Sequence, residues 1–243
     1  FKSLLEEYDI KKVYTNRDYE KYALQRDQSI VQFLTSKQIE FHDFKDQVIF
    51  ERMEVSKDDG NPYTVEFWLY LSSNNITSAV GIIGTNTTSA FNLRLNSNTQ
   101  IQIDDSFTSS QLFTIPTLQS NTWYHIALVR SGSGTNNCTM YVNGTALWQA
   151  TKTGSVNNSP GPWTIGQAGN STTKFTGYIS NVRIVKGTAV YTSAFTPSTT
   201  PLTAISGTSL LTCQSNKFVD NSTNAFTITP TGDTKVVTQN PFQ

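Results

Sequence analysis

Charge is scarce in most of this chain, and the scarcity begins abruptly. Residues 64–243 hold five acidic residues (Glu66, Asp104, Asp105, Asp220 and Asp233), eight basic residues and one histidine, His125. Residues 1–63 hold 13 acidic and 10 basic residues. Net charge is −3 for the first part and +3 for the second, so neither presents a basic field, and nucleic acid is not an expected partner. No apolar run approaches the ~20 residues that a membrane-spanning helix needs, so membrane insertion is not expected either. The two cysteines are too few for a disulfide framework in 243 residues. Cys138 opens one strand-like run and Cys213 closes another. They read as two buried free thiols, with a single disulfide as the alternative. One histidine and two cysteines also fall short of a zinc site in the second part. The chain starts at Phe1 rather than Met and reads as a fragment.

The charged first part alternates helix and strand signals. Phe1, Leu4, Leu5 and Tyr8 fall at helical spacing, and Lys12-Val13-Tyr14-Thr15 reads as a strand. Asp18 suits the N-cap of a helix carrying Tyr19, Ala23, Ile30, Phe33 and Leu34 on one stripe. Ile39 to Phe44 alternates as a second strand, and Val48-Ile49-Phe50 follows. This αβαβ run predicts parallel strands joined by a crossover helix.

The second part uses a different vocabulary. Tyr63, Val65, Phe67, Leu69 and Leu71 alternate with Thr64, Glu66, Trp68 and Tyr70, a period of two. Phe91, Leu93 and Leu95 alternate with polar residues, and a turn at Asn96-Ser97-Asn98 leads to Ile101 and Ile103, which predicts a hairpin. His125 to Val129 is almost wholly apolar, as for a strand covered on both faces. Met140-Tyr141-Val142 runs into Asn143-Gly144, a strong hairpin dipeptide. Trp163 to Gly166 and Tyr178 to Val185 are further strands. Short strands with turn signals between them predict a mainly β protein, an antiparallel β-sandwich preceded by a short α/β fragment.

The wording of both parts resembles known families. Val13-Tyr14-Thr15-Asn16-Arg17-Asp18-Tyr19-Glu20, Gln25-Arg26-Asp27, Phe44 to Phe50 and Lys57 to Val65 resemble the N-terminal antenna domain of DNA photolyases and cryptochromes. Only a piece of that domain is present. The segment that would bind FAD in that family has no counterpart, so no flavin site is carried over. In the second part, Val65-Glu66-Phe67-Trp68-Leu69-Tyr70, Trp123 to Arg130, Tyr141-Val142-Asn143-Gly144, Ile165-Gly166 and Phe175 to Ile184 occur in order. They resemble the laminin-G-like, concanavalin-A-like jelly roll. With Lys186 to Tyr191, the wording is similar to copies in tailed-phage structural and tail-fibre proteins. The resemblance covers residues 64–200. The opening strands that such a domain needs before Tyr63 have no counterpart. Residues 208–243 look like the opening of such a domain, either the start of a second unit or edge strands of the first. The expected domains are therefore 1–63, 64–200 and 201–243, with the change at Tyr63 read as a join between two unrelated sequences.

Few residues offer chemistry. A glycosidase needs carboxylates flanking one sugar bond, and the Glu-x-Asp-x-x-Glu motif of jelly-roll glycosidases is absent. Glu66 shares a face with Trp68 and Tyr70, a candidate sugar-facing side. The alternative for Glu66 is a buried carboxylate bonded to a neighbouring strand. His125 reads as a structural histidine. No organic cofactor is expected, and calcium is the one candidate ion, at Asp104 and Asp105, because Ca²⁺ accepts loop carboxylates and carbonyls. Trp68, Trp123 and Trp163 read as core, whereas Trp148 is the candidate for an exposed stacking platform. Seven Asn-x-Ser/Thr sequons, starting at Asn75, Asn86, Asn137, Asn143, Asn157, Asn170 and Asn221, follow from an Asn/Thr-rich composition.

These readings converge on a non-enzymatic β-sandwich module of a virion or extracellular structural protein. Its expected partners are glycans or other virion and cell-surface proteins. A photolyase remnant without a complete active site and a carbohydrate-active enzyme are the alternatives.

Overall fold

A computed structural model describes residues 8–16, 21–44, 60–85, 91–104, 111–154, 162–168 and 173–243. The chain divides into two compact units, Phe1–Glu54 and Val55–Gln243. The helix expected around Phe1 to Tyr8, the Asp18 cap and the Val48-Ile49-Phe50 run lie outside the described residues.

The first unit pairs β1 (Lys12–Asn16) with β2 (Glu40–Phe44) in parallel, with α1 (Lys21–Ser36) between them in sequence. The crossover expected from the sequence is therefore present. Leu34, on the predicted apolar stripe, is fully buried, and its carbonyl accepts from Lys37 and Ile39 where the helix ends.

The second unit is a sandwich of two antiparallel sheets. Its strands are β3 (Tyr63–Leu71), β4 (Val80–Thr85), β5 (Asn92–Ser97), β6 (Gln100–Asp104), β7 (Gln111–Thr114), β8 (Trp123–Arg130), β9 (Cys138–Val142), β10 (Thr145–Ala150), β11 (Trp163–Ile165), β12 (Gly177–Lys186) and β13 (Thr208–Thr212). One sheet runs β10-β9-β8-β3-β12-β13 and the other β11-β4-β5-β6-β7. The period-two pattern of β3 sends Val65, Phe67, Leu69 and Leu71 inward, each at most 1% exposed. Ile126 and Leu128 of β8 and Met140 of β9 join them, while Leu93, Leu95, Ile101, Ile103 and Phe113 are buried in the second sheet. Each such side chain contributes about 1.5–3 kcal/mol on burial. Gly81 and Gly84 interrupt β4 because a Cβ at either would strike neighbouring backbone, at Ala168 and Phe91 respectively.

The compact units part upstream of Tyr63 because Gly60 to Pro62 already belong to the sandwich. Gly60 packs against Ser133, and the Pro62 carbonyl accepts from Gly187 N at 2.8 Å. At the other end, β13 pairs with β12 and is an edge strand of this same sandwich. Cys138 and Cys213 are thiols, not joined in a disulfide. Four strand spacings separate β9 from β13, roughly 19 Å at ~4.8 Å each, too far for a disulfide. Burial pushes the Cys213 thiol up to about 11, which leaves it unreactive at neutral pH.

The segment from Gly187 to Gly207 lies over the outer face of the six-stranded sheet. Val190 N donates to Thr64 Oγ1, Phe195 N to the Gly144 carbonyl and Leu202 N to Asn181 Oδ1. Ala189, Tyr191 and Phe195 pack on Ala127, Val129 and Tyr141. The Tyr191 and Phe195 rings stack with centroids 3.5 Å apart. This cover is why β8 is apolar on both faces. Gly144 holds φ +77° in the β9–β10 turn, and a Cβ there would run into the Phe195 carbonyl. Gly144→Ala is expected to lower stability by about 2 kcal/mol, read as a lower denaturant midpoint at unchanged slope.

Candidate functional site

The outer face of the six-stranded sheet has a sealed polar half and an aromatic half. In the polar half, Glu66 is fully buried and both of its oxygens are used. Arg183 Nε and Nη2 donate to Oε1 at 2.8 and 2.6 Å. His125 Nε2 and the Tyr191 hydroxyl meet Oε2 at 3.1 and 2.8 Å. An ionised carboxylate only accepts, so His125 Nε2 carries the hydrogen. Burial alone would raise the Glu66 pKa, but the His125 hydrogen bond and the Arg183 charge outweigh it and hold the carboxyl below its ordinary 4.5. Burial, the Glu66 charge and its hydrogen bond push the Tyr191 phenol well up, so it remains a donor.

Arg183 was not singled out by the sequence reading, although a signal for it exists. Ile179, Val182 and Ile184 are the inward residues of β12, and the first interval is three rather than two. The structure has a bulge there: Ser180 pairs with Trp68 and Arg183 pairs with Glu66. Asn181, at φ +53°, absorbs the extra residue. Without it, Val182 rather than Arg183 would oppose Glu66. The buried network also corrects the expectation of Glu66 as a sugar contact, because no oxygen is open to a ligand.

The aromatic half consists of Trp68, Tyr70, Trp123 and Tyr178, all half-buried. Register places them together, since Trp68 pairs with His125 and Ser180, and Tyr70 with Trp123 and Tyr178. Ring centroids are 5.3 Å apart for Tyr70–Trp123, 5.2 Å for Tyr70–Tyr178 and 5.2 Å for Trp68–His125. A cleft of ≈ 490 Å³ opens here, lined by Trp68 and Trp123 of the sheet, Asn143 of the β9–β10 turn, Pro197, Ser198 and Thr199 of the covering segment, and Pro241 and Phe242. The indole Nε1 atoms of Trp68 and Trp123 are buried without a hydrogen-bond partner among the described residues. Buried indole N–H groups ordinarily find an acceptor. Trp123, expected in the core, and Trp68, expected either in the core or on a sugar-facing side with Tyr70, both line this cleft.

The other candidates lie elsewhere. Trp148 is half-buried, and its ring centroid is 3.8 Å from that of Phe113 in the opposite sheet. A register shift between Ala146 and Trp148 places Trp148 opposite Met140 and against the core edge, so it is an inter-sheet contact and not an exposed platform. Trp163 stacks on Phe91 at 5.3 Å. Asp104 is ion-paired with Arg94 and accepts from Gln102 Nε2 at 3.0 Å. Arg94 pairs in register with Gln102, two residues from Asp104, within reach of a long side chain. That cation already meets the charge a Ca²⁺ would use, and Asp105 lies outside the described residues. No cluster of three or more His, Cys, Asp or Glu suited to a metal occurs among the described residues. No described helix is long and apolar enough to cross a membrane.

Comparison with solved structures finds distant likenesses. A proposed carbohydrate binding protein from Bacteroides ovatus is 18% identical, with a TM-score of 0.48 over 68% of this chain and 50% of that one. Domain 4 of AbnA, an extracellular arabinanase from Geobacillus stearothermophilus, in complex with arabinotriose, is 16% identical, with a TM-score of 0.39 over 55% and 64%. The LG4-5 domains of the mouse laminin α1 chain are 14% identical, with a TM-score of 0.40 over 60% and 43%. The chain thus spans about half the length of the first of these structures. No curated protein matches it. Family models are more decisive. Residues 1–68 match the DNA photolyase model, the piece of the antenna domain that the sequence resembles. Residues 45–194, most of the chain and nearly all the strands of the sandwich, match the other model, and the chain belongs to the concanavalin A-like lectin/glucanases superfamily.

Proposed function

We propose that the sandwich is a non-catalytic glycan-binding module of a virion or extracellular structural protein, and that it holds a neutral saccharide in the Trp68–Trp123 cleft. The observation that carries this reading is the half-exposed aromatic floor of Trp68, Tyr70, Trp123 and Tyr178 beside a cleft that Trp68 and Trp123 line. Sugar C–H faces stack on such rings. Asn143, Ser198 and Thr199 add neutral polar groups, and among the described residues no charged side chain lines the cleft. A saccharide carrying a carboxylate or sulfate would find no cation to pair with. Glu66 and Arg183, in the polar half of the same face, are committed to each other.

A glycan array probed with the full chain is expected to show binding to neutral glycans, unchanged by chelator, with at least tenfold weaker signal on sialylated or uronate-bearing ones. Preference for acidic glycans would overturn the neutral-saccharide assignment, and no binding at all would leave a structural spacer as the better reading.

A further inference from the structure

Residues 241 and 242 lie on this same cleft. Phe242 meets Trp68 edge-on, with ring centroids 5.9 Å apart and planes at 81°. Pro241 lines the cleft beside it. Among the described residues, few bonds hold this segment down. The last link upstream is Phe226 N, which donates to buried Asp220 at 3.0 Å. From Thr227 to Gln243 the described hydrogen bonds stay within the segment: Thr234 N to the Thr231 carbonyl, Asn240 Nδ2 and Gln243 Nε2 to the Thr238 carbonyl, and Phe242 N to Asn240 Oδ1. Thr229 to Gln239 are all exposed, and no strand or helix forms.

The arrangement is a segment anchored at Phe226, with one aromatic ring further along it resting on the ligand face. We infer that Phe242 is a displaceable internal occupant of the cleft, covering Trp68 until a saccharide takes its place. This rests on the glycan reading above. A short tether keeps the ring at high effective concentration, so the contact forms although a single ring pair is weak. The apparent affinity is then the intrinsic affinity multiplied by the open fraction of the chain, and removing the ring restores it.

The test compares the full chain with Phe242→Ala by two readouts. One is acrylamide quenching of tryptophan fluorescence. The other is titration with neutral malto-, xylo-, arabino- and N-acetylchito-oligosaccharides. Greater quenching in Phe242→Ala is expected, together with binding roughly three- to tenfold tighter than that of the unaltered chain. Equal quenching overturns the inference, and so does greater quenching with unchanged or weaker affinity. If neither chain binds any of these sugars, the glycan reading fails by itself. Quenching then decides the occupant alone: greater quenching in Phe242→Ala supports a ring that covers Trp68, and equal quenching removes it.

Discussion

Replacing Glu66 by Gln is expected to lower the melting temperature of the sandwich by on the order of 10 °C. The side chain is 0% exposed and takes four donor contacts, from two Arg183 nitrogens, His125 and Tyr191. Gln keeps the shape but removes the charge, and Arg183 then has no carboxylate partner for its Nε and Nη2. Breaking a buried pair by removing one partner costs about 3–5 kcal/mol, and each kcal/mol moves a domain of this size by about 2–4 °C. Replacing Glu66 and Arg183 together with apolar residues is expected to recover part of the loss, because no buried charge is then stranded. The pH dependence has a definite sign. The folded pKa of Glu66 lies below 4.5. Its contribution is therefore complete above the unfolded value and is lost as pH falls through the folded one. Between pH 5 and the acid limit of folding, the slope of stability against pH should be shallower in Glu66→Gln than in the unaltered chain. Parallel slopes would show that the carboxylate is not held as described.

Asp220→Ala is the second large effect, and it acts at a sheet edge. Asp220 Oδ1 accepts from Leu211 N and Ser222 N, at 3.0 and 2.8 Å. Its Oδ2 accepts from the Ser222 hydroxyl and Phe226 N, at 2.8 and 3.0 Å. Asn221 N donates to the Leu211 carbonyl, and Asn224 Nδ2 donates to the Ser209 carbonyl. Together these groups cap the outer edge of β13, the last strand of the six-stranded sheet. An uncapped edge is a template for pairing with another chain. Removing the carboxylate strands three backbone N–H groups, for about 3 kcal/mol at the ordinary cost of unmade bonds to a charged group. The variant should melt lower, exchange its Leu211 amide faster and scatter light on heating at concentrations where the unaltered chain stays clear. An unchanged midpoint with slow Leu211 exchange would mean that the turn does not hold the edge.

Much of the sandwich is legible in the chain, for reasons that separate element by element. β3 could be read because its two faces differ, Val65 and Phe67 against Thr64 and Glu66. The β5–β6 and β9–β10 hairpins could be read because Asn-rich turns interrupt alternating strands. The almost wholly apolar run from His125 to Val129 in β8 predicts cover on both faces, and Tyr191 and Phe195 provide it. β4 has no such signal, because its glycines answer to the close approach of Ala168 and Phe91 backbone. The site was harder. Bulges beside Asn181 and before Trp148 each shift a strand by one residue, and one residue decides which face a side chain joins. A fixed period therefore misses Arg183 and sends Trp148 outward. The aromatic cleft draws on β3, β8, the Asn143 turn, the segment after β12 and Phe242, and no local pattern brings these together. The composition change at Tyr63 marks the start of β3. The photolyase-like and lectin-like matches overlap across it, at residues 45–68.

The central claim is that Trp68 and Trp123 form a saccharide site. The most direct measurement is calorimetric titration of the full chain and of Trp123→Ala with the neutral oligosaccharide that scores highest on the array. Trp123 is half-buried on the outer face, so its loss should spare the fold, as an unchanged far-ultraviolet spectrum would verify. The account predicts saturable binding by the full chain and at least a tenfold loss in Trp123→Ala. Equal affinity in the two chains would contradict it.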